Sequence, residues 1–365
     1  MHARLIGVLG AVAAAGAVGV AAWGVAGAAV AGGQAAAGRA GAMVPGSGSG
    51  FAVAAVSFWS PARGIALGGV GCSYGRPCAA RLMITADGGR RWRFVRAAAV
   101  DVTGGRPARS VSHVLFVSAG RGWLYGPALW STRDGGGRWR KLSLGGAVNA
   151  MAASAGRVYA VVSRPGKAPE LFASPAGRDT WARVGQVSGD VLAVYGRSAW
   201  LGSSRYLWAT ANGVRWHKYP FRCPASARGV GLASITAAGP ARLLLLCLGT
   251  PAGPQQVKDL MGSANGGRTT HLIRSLQLPG DGGVIAVPPG RPRIITLGTE
   301  YYLDTSANGG KTWTMKPVEA GGGAPWNSLS YLSQSAGWAE VGGPPTFDAL
   351  LRTTNAGRSW HRVRP

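Results

Sequence analysis

Acidic residues are scarce in this sequence. Its 365 residues include 13 Asp and Glu against 39 Lys and Arg, which gives a formal net charge of +26. Hydrolysis of a glycosidic bond by two carboxylates requires a pair of acids at a defined separation. Asp87 and Asp134 belong to repeated turns described below, so only eleven of the 13 acids remain for other roles. The small acid pool therefore disfavours a two-carboxylate hydrolase.

Histidine is also rare, and the five histidines are scattered without the spacing of a metal site. The sequence contains no phosphate-binding loop and no dinucleotide fingerprint. The segment 71–75 fits the pattern G-x-S-x-G around Ser73. A nucleophile elbow requires a strand-to-helix turn, however, whereas this segment is typical of a hairpin tip tied by cysteines. We therefore expect no metal and no cofactor.

Only four cysteines are present, an even number that suggests two disulfides in an exported chain, with three pairings formally possible. Cys72 and Cys78 are six positions apart, so local pairing is the simplest solution. That pairing leaves Cys223 with Cys247. A Cys-x5-Cys segment without a His-x3–5-His partner is a poor zinc signature.

Charge is absent from the N-terminal stretch between Leu5 and Gly33, which a single Arg precedes. This apolar run is long enough to span a bilayer, yet it ends in Ala-Val-Ala at 29–31, which suits cleavage after a small residue. Residues 1–33 are thus predicted to be either a cleaved signal peptide or a retained membrane-anchor helix, with both alternatives equally open. Residues 34–50 are predicted to be a flexible linker. We expect an exported chain that is extracellular or anchored facing the outside.

Glycine and tryptophan are abundant, with 60 and 14 residues, while only 14% of the residues are charged. This composition is typical of a turn-rich β protein, because tight turns use glycine at positive φ and aromatic side chains fill the space between sheets. The charge of +26 is expected to attract polyanions. An equally weighted alternative is that the arginines reflect a GC-rich genome and serve as solvated surface.

One short turn motif, S/T-x-D/N-x-G-x-x-W, repeats along the chain. Its seven copies are TADGGRRW (85–92), TRDGGGRW (132–139), SPAGRDTW (174–181), TANGVRW (210–216), SANGGRTT (263–270), SANGGKTW (306–313) and TTNAGRSW (353–360). Asp or Asn and the preceding hydroxyl can bond nearby backbone N–H groups, while Trp packs back onto the sheet. Three copies are degenerate: the third has Ala176 in place of the acid, the fourth is one residue short, and the fifth has Thr270 in place of Trp.

Alternating apolar segments in phase with the turns indicate four short strands per unit. The first and last turns end at Trp92 and Trp360, so the six intervals average about 45 residues, and a period in the forties with four strands is typical of a propeller. We therefore predict an all-β, seven-bladed β-propeller of four-stranded antiparallel blades over residues 51–365. Each blade is expected to be contiguous in sequence, with the ring closed by packing of the seventh blade on the first.

The turns resemble the Asp-box, or bacterial neuraminidase repeat, of sialidases, sortilin-type receptors, xyloglucan-cleaving enzymes and photosystem II assembly-factor-like propellers. The resemblance spans residues 51–365 and implies the architecture but little about activity. In that family the boxes lie at the periphery, which implies a structural role for their residues. The box residues here are Asp87, Trp92, Asp134, Trp139, Trp181, Asn212, Trp216, Asn265, Asn308, Trp313, Asn355 and Trp360.

The enzyme alternative is a sialidase-like glycoside hydrolase. Glu300, Tyr301 and Tyr302 supply the residue types of its nucleophile pair, but adjacent strand residues point to opposite faces. The early Arg-x-Pro signature of sialidases has no convincing counterpart before the first turn, and a xyloglucanase pairs two propellers where one is predicted here. We therefore favour a non-catalytic binding or scaffolding propeller. A structural envelope protein without a discrete ligand is a third alternative.

Basic residues recur within the turns, and equivalent turns of all blades lie on one side of a propeller. The candidates for polyanion binding are Arg90, Arg138, Arg215, Arg268, Lys311 and Arg358. A clustered field of this kind can steer an anionic partner, although charges at exposed strand edges also guard against pairing with another chain. The expected partner is a protein or an anionic polymer or lipid surface rather than nucleic acid, and we expect a monomer.

Overall fold

The computed structural model describes residues 50–72, 76–103, 105–227, 229–253, 255–300, 302–317, 326–341 and 349–365. The predicted signal or anchor segment, the predicted linker up to residue 49, Ser73 and Tyr301 lie outside these residues. Within the described ranges, no helix is both long and apolar enough to cross a membrane.

Seven sheets, each formed from one contiguous stretch of chain, make the blades. Blade 1 contains β1 (Phe51–Phe58), β2 (Gly64–Val70), β4 (Arg81–Thr85) and β5 (Arg93–Val95), while β3 (Cys78–Ala79) pairs with β6 (Asp101–Thr103) in a small separate sheet. Blade 2 contains β7 (His113–Phe116), β8 (Gly122–Tyr125), β9 (Leu129–Thr132) and β10 (Arg140–Leu142). Blade 3 contains β11 (Ala147–Ser154), β12 (Arg157–Arg164), β13 (Lys167–Pro175) and β14 (Ala182–Arg183). Blade 4 contains β15 (Val191–Tyr195), β16 (Ser198–Gly202), β17 (Tyr206–Thr210) and β18 (His217–Pro220).

A short 3-10 helix at Ala225–Ala227 leads into the last three blades. Blade 5 contains β19 (Gly229–Ala237), β20 (Leu243–Gly249), β21 (Gln255–Ser263) and β22 (His271–Pro279). Blade 6 contains β23 (Val284–Ala286), β24 (Ile295–Thr299) and β25 (Tyr302–Ser306), with two isolated bridges to Thr314 and Pro317 in place of a fourth strand. Blade 7 contains β26 (Trp326–Tyr331), β27 (Gly337–Val341), β28 (Ala349–Thr353) and β29 (His361–Val363). The predicted seven-bladed, all-β propeller is confirmed.

Burial along each blade follows from its place between two neighbours. In five of the seven neighbouring pairs of blades the first strands contact one another, as β11 and β15 do, and these strands surround the centre of the ring. All seven residues of β20 are buried, because a second strand is covered by a neighbouring blade on both faces and needs no polar alternation. Each buried leucine of this strand contributes roughly 1.5–3 kcal/mol. Outermost strands such as β10 and β14 are mainly exposed.

The ring closes by contact between blade 7 and blade 1. The ring of Phe58 stacks on that of Trp338, with centroids 3.9 Å apart. The carboxyl group of Glu340 accepts a hydrogen bond from the backbone N–H of Val56. Because β1 and β26 to β29 belong to separate sheets, the predicted closure by packing is confirmed.

Two disulfides brace the propeller as predicted. Cys72 bonds Cys78 at the edge of blade 1, and Cys223 bonds Cys247. The second bond ties the loop before blade 5 to the buried strand β20, with Cα atoms 5.7 Å apart. All four cysteines are therefore paired.

Candidate binding site at the turn-bearing face

The repeated turns share one hydrogen-bond pattern. In the first turn, the Thr85 hydroxyl donates to Asp87 at 2.9 Å and accepts from the backbone N–H of Gly89 at 2.9 Å. The carboxylate of Asp87 also accepts from the backbone N–H of Arg91, which lowers the pKa of this acid. Trp92 donates from Nε1 to the Gly89 carbonyl at 3.0 Å. The turn is thus held by its own side chains.

Five other turns repeat the bond between the first and third residues. These pairs are Thr132 with Asp134, Thr210 with Asn212, Ser263 with Asn265, Ser306 with Asn308, and Thr353 with Asn355. In three of the turn tryptophans, the Nε1 atom is buried and has no hydrogen-bond partner; these are Trp181, Trp216 and Trp360. Trp139 donates from its Nε1 to the Arg96 carbonyl of the preceding blade at 3.4 Å.

The turns lie on one face of the propeller, next to the connections between first and second strands. The backbone N–H of Gly88 donates to the Ala62 carbonyl at 2.7 Å, and that of Gly135 donates to the Gly120 carbonyl at 3.0 Å. Antiparallel strands alternate in direction, so both kinds of connection fall at the same end of a blade. The six basic candidates are exposed in these turns: Arg90, Arg138, Arg215, Arg268, Lys311 and Arg358.

The third turn departs from the pattern and carries its acid at a different position. Ala176 occupies the third position, while Asp179 occupies the sixth, where four other turns have Arg or Lys. The side chain of Asp179 is only 1% exposed, and it reaches across to blade 2. Its Oδ1 accepts from Arg121 at 2.5 Å and from Trp123 Nε1 at 3.1 Å.

The second oxygen of Asp179 is equally occupied. Oδ2 accepts from the Ser131 hydroxyl at 3.0 Å and from Arg140 at 2.8 Å, and a third guanidinium, that of Arg133, lies 3.6 Å away. Burial raises the pKa of Asp179, but the hydrogen bonds from Arg121, Arg140 and Trp123 outweigh it, so the pKa lies below its usual value. Asp179 is therefore a fully bonded carboxylate at neutral pH.

Arg121 is the buried counter-charge of Asp179. Its side chain is 9% exposed and stacks over the Trp123 ring, 4.6 Å from the centroid. Its Nε donates to the Ala176 carbonyl of blade 3 at 2.9 Å, so one side chain joins the two blades. The charges of Arg121 and Asp179 neutralise each other in the interior.

A cavity of about 390 Å³ opens beside this ion pair. Its lining, which we name the arginine pocket, consists of Ser131, Arg133, Asp134, Arg138, Trp139 and Arg140. Three arginines and one aspartate line the cavity, and the side chains of Arg133 and Arg140 are 61% and 59% exposed. Asp134 is already bonded to the Thr132 hydroxyl and the Arg138 backbone N–H. The lining therefore has a surplus of two positive charges, which suits an anionic group.

Sequence reasoning singled out Arg138 in this pocket but missed Asp179, Arg121 and Arg133. The available signal was the acid at the sixth position of a turn that lacks its third-position acid. Its partners Arg140 and Arg121 are 39 and 58 residues away in the sequence, so only the folded chain identifies them.

Two further buried ionisable groups, Lys258 and Asp304, were also missed. The ammonium of Lys258 donates to the Gly280 carbonyl at 2.7 Å, and burial lowers its pKa to about 8. Burial raises the pKa of Asp304 to about 7, although the positive charge of Lys258 opposes the shift. Both side chains are buried in blades 5 and 6, away from the arginine pocket.

The residues of the sialidase alternative are placed separately from this pocket. Glu300 accepts a hydrogen bond from the backbone N–H of Asp281 at 3.0 Å. Tyr302 begins β25 and is half-buried.

Comparison with known proteins supports the architecture. No family model and no curated protein sequence matches the chain. The solved structure of YCF48 bound to D1 peptide is similar, with a TM-score of 0.54 and 16% identity over 84% of this chain and 94% of that one. YCF48 from Cyanidioschyzon merolae gives a TM-score of 0.54 and 16% identity over 85% and 97% of the two chains. The WD40 β-propeller domain of Doa1 gives 0.51 and 10% identity over 84% and 93%. The structural similarity shows a shared propeller fold, and identities this low show nothing beyond the fold.

Proposed function

We propose that this chain is a non-catalytic binding propeller that holds a protein partner, and that the arginine pocket takes acidic side chains of that partner. The surplus of positive charge around a cavity of about 390 Å³ carries the proposal. Each arginine offers five N–H donors in a planar fork that matches a carboxylate. Trp139 adds an apolar wall, which favours an acidic segment that also contains an apolar side chain.

The fold comparison supports a protein partner. One similar propeller is described as bound to a D1 peptide, so a ring of this shape can present a peptide site. The pocket volume lies near the lower end of ligand sites, roughly 300–1,000 Å³, and is suited to a few side chains. An extended anionic polymer or lipid surface would instead require a continuous cationic track.

The repeated turns support membership of the Asp-box group. Six of them bond a first-position hydroxyl to a third-position Asp or Asn. We assign a structural role to these residues because their hydrogen bonds are made within the turn.

The proposal also includes export, which the N-terminal apolar run and the two disulfides favour.

The test measures binding to a defined acidic peptide by biolayer interferometry. The probe is a biotinylated hexapeptide, Gly-Glu-Phe-Glu-Gly-Gly, and its control has glutamine in place of glutamate. We expect the purified chain to bind the glutamate peptide at least tenfold more tightly, because charge-assisted hydrogen bonds contribute about 1.5–3 kcal/mol each. Equal binding to both peptides would overturn the proposal.

A matched pair of variants locates the contact. Arg133→Glu with Arg140→Glu should reduce binding at least tenfold. Arg91→Glu with Arg93→Glu makes the same charge change in blade 1. Because physiological salt screens the change in net charge, this control should bind within about threefold of the unmodified chain. Equal losses would show that only net charge matters. Turnover of a fluorogenic sialoside that disappears in Tyr302→Phe would instead favour the glycoside hydrolase.

A further inference from the structure

We infer that Asp179 is a positioning residue of the arginine pocket: it holds Arg140 and Arg133 so that their guanidinium groups face an incoming carboxylate. The inference rests on the proposed function, because it concerns how the same pocket recognises its ligand. Asp179 itself is buried behind the pocket wall and does not line the cavity.

The placement of Asp179 reverses the charge that this turn position carries elsewhere. Four other turns have a basic residue at the sixth position, namely Arg90, Arg268, Lys311 and Arg358. In the third turn the Ser174 hydroxyl compensates for the missing third-position acid by accepting from the Thr180 N–H at 3.1 Å and donating to the Arg178 carbonyl at 2.8 Å. The Ser174 hydroxyl thus closes the turn without the third-position acid, and the acid of this turn bonds the neighbouring blade instead.

The bonds to Asp179 fix one side of an otherwise mobile side chain. Arg140 is 59% exposed, and a free arginine at that exposure would lose rotamer freedom on binding a ligand. Its Nη2 already donates to Asp179 at 2.8 Å, so part of that ordering precedes the ligand. The remaining N–H groups of its fork are available to a second carboxylate.

Blade 1 provides the comparison within the same molecule. Arg91 and Arg93 are exposed like Arg138 and Arg140 and occupy the equivalent positions, one in the turn and one at the start of the fourth strand. The turn of the following blade, however, offers Gly137 at its sixth position, and Ala86 stands where blade 2 has Arg133. The two turns thus carry similar charge, but only in blade 2 do two arginines, Arg133 and Arg140, form ion pairs with a buried acid from the next blade.

Two explanations of the role of Asp179 predict opposite changes in the affinity for the acidic peptide when its charge is removed. If the pocket attracts anions only through net charge, Asp179→Asn adds one positive charge and must strengthen binding of the acidic peptide. If Asp179 positions the arginines, the same change weakens binding. The weakening falls mainly on the dissociation rate, because the attractive field is not reduced.

The experiment follows association and dissociation of the biotinylated glutamate peptide with the full chain. For Asp179→Asn we expect dissociation at least tenfold faster and association that is unchanged or up to twofold faster. Asp179→Glu, which keeps the charge, should restore part of the affinity. Tighter or unchanged binding by Asp179→Asn would overturn the inference.

A second variant keeps the test decisive if Asp179→Asn fails to fold, as judged by near-ultraviolet circular dichroism. Arg140→Lys preserves the charge but removes the planar fork, and we expect it to weaken peptide binding at least fivefold. The matched control, Arg93→Lys in blade 1, should bind within twofold of the unmodified chain. Equal behaviour of the two lysine variants would overturn the inference. Failure of the unmodified chain to prefer the glutamate peptide would instead refute the proposed function.

Discussion

Glu340 is a buried acid at the joint between blade 7 and blade 1, and replacing it tests how the ring is closed. Glu340 is 5% exposed, and its carboxyl group accepts hydrogen bonds from the Val56 backbone N–H and from Ser328. Burial raises the pKa of Glu340 from the usual 4.5 to about 8, although these hydrogen bonds oppose the shift. The folded chain therefore keeps this proton at neutral pH.

The sign of the pH effect follows from the proton count. Between about pH 4.5 and pH 8 the unfolded chain has released the Glu340 proton while the folded chain retains it. The contribution of Glu340 to the free energy of unfolding consequently falls as pH rises through this window. At pH 7 the loss is about 3 kcal/mol, from about 1.36 kcal/mol for each of roughly 2.5 pH units. An unfolding entropy of about 2.1 cal/mol/K per residue over about 315 residues converts this loss to a melting-temperature decrease of about 5 °C.

The assay is thermal unfolding of the unmodified chain and of Glu340→Gln between pH 5 and pH 7.5. Asp304, whose pKa burial raises to about 7, adds a decline of the same sign in both proteins. Glutamine keeps an acceptor for the Val56 N–H but carries no proton to release, so its decline should be smaller by several degrees. Parallel curves for the two proteins would refute a buried, protonated Glu340.

Three further perturbations address other parts of the fold. Asp179→Ala should lower stability by about 3–5 kcal/mol, because it leaves the buried guanidinium of Arg121 uncompensated. In chemical denaturation, the double variant Asp179→Leu with Arg121→Met should show a smaller loss of stability, and an equal or greater loss would contradict this explanation. Trp313→Ala should lower the free energy of unfolding by about 3 kcal/mol, near the lower end for a large truncation, since the ring is half-buried and donates to the Gly310 carbonyl. A change below about 1 kcal/mol would show that the turn does not depend on this ring. Replacing Cys223 and Cys247 by Ala should cost about 3.5 kcal/mol, from the entropy of a loop of 24 residues, and an unchanged denaturation midpoint would contradict the estimate.

The number of blades was predictable because each repeated turn is held by contacts within a few residues. Thr85 bonds both Asp87 and Gly89 within a segment of five residues, so the pattern is visible in the sequence. Cys72 and Cys78 were predicted as a pair for the same reason, since their separation is only six. The missing fourth strand of blade 6, where the structure has only two isolated bridges, was not predictable. The strand period does not specify how many backbone bridges form at the outer edge of a blade.

The sequence by itself determined the turns, the strand period and therefore the propeller, since local hydrogen bonds and alternating burial leave a regular pattern in the residues. Only the tertiary structure decided which charges meet. Arg121 and Asp179 are 58 residues apart, and they pair because the packing of blade 3 on blade 2 brings the third turn over the first-to-second strand connection of its neighbour. The pairs that Glu340 forms with Val56 and that Arg140 forms with Asp179 depend on the same ring geometry. Contacts between blades follow from relative placement in space, and a sequence pattern carries no record of that placement.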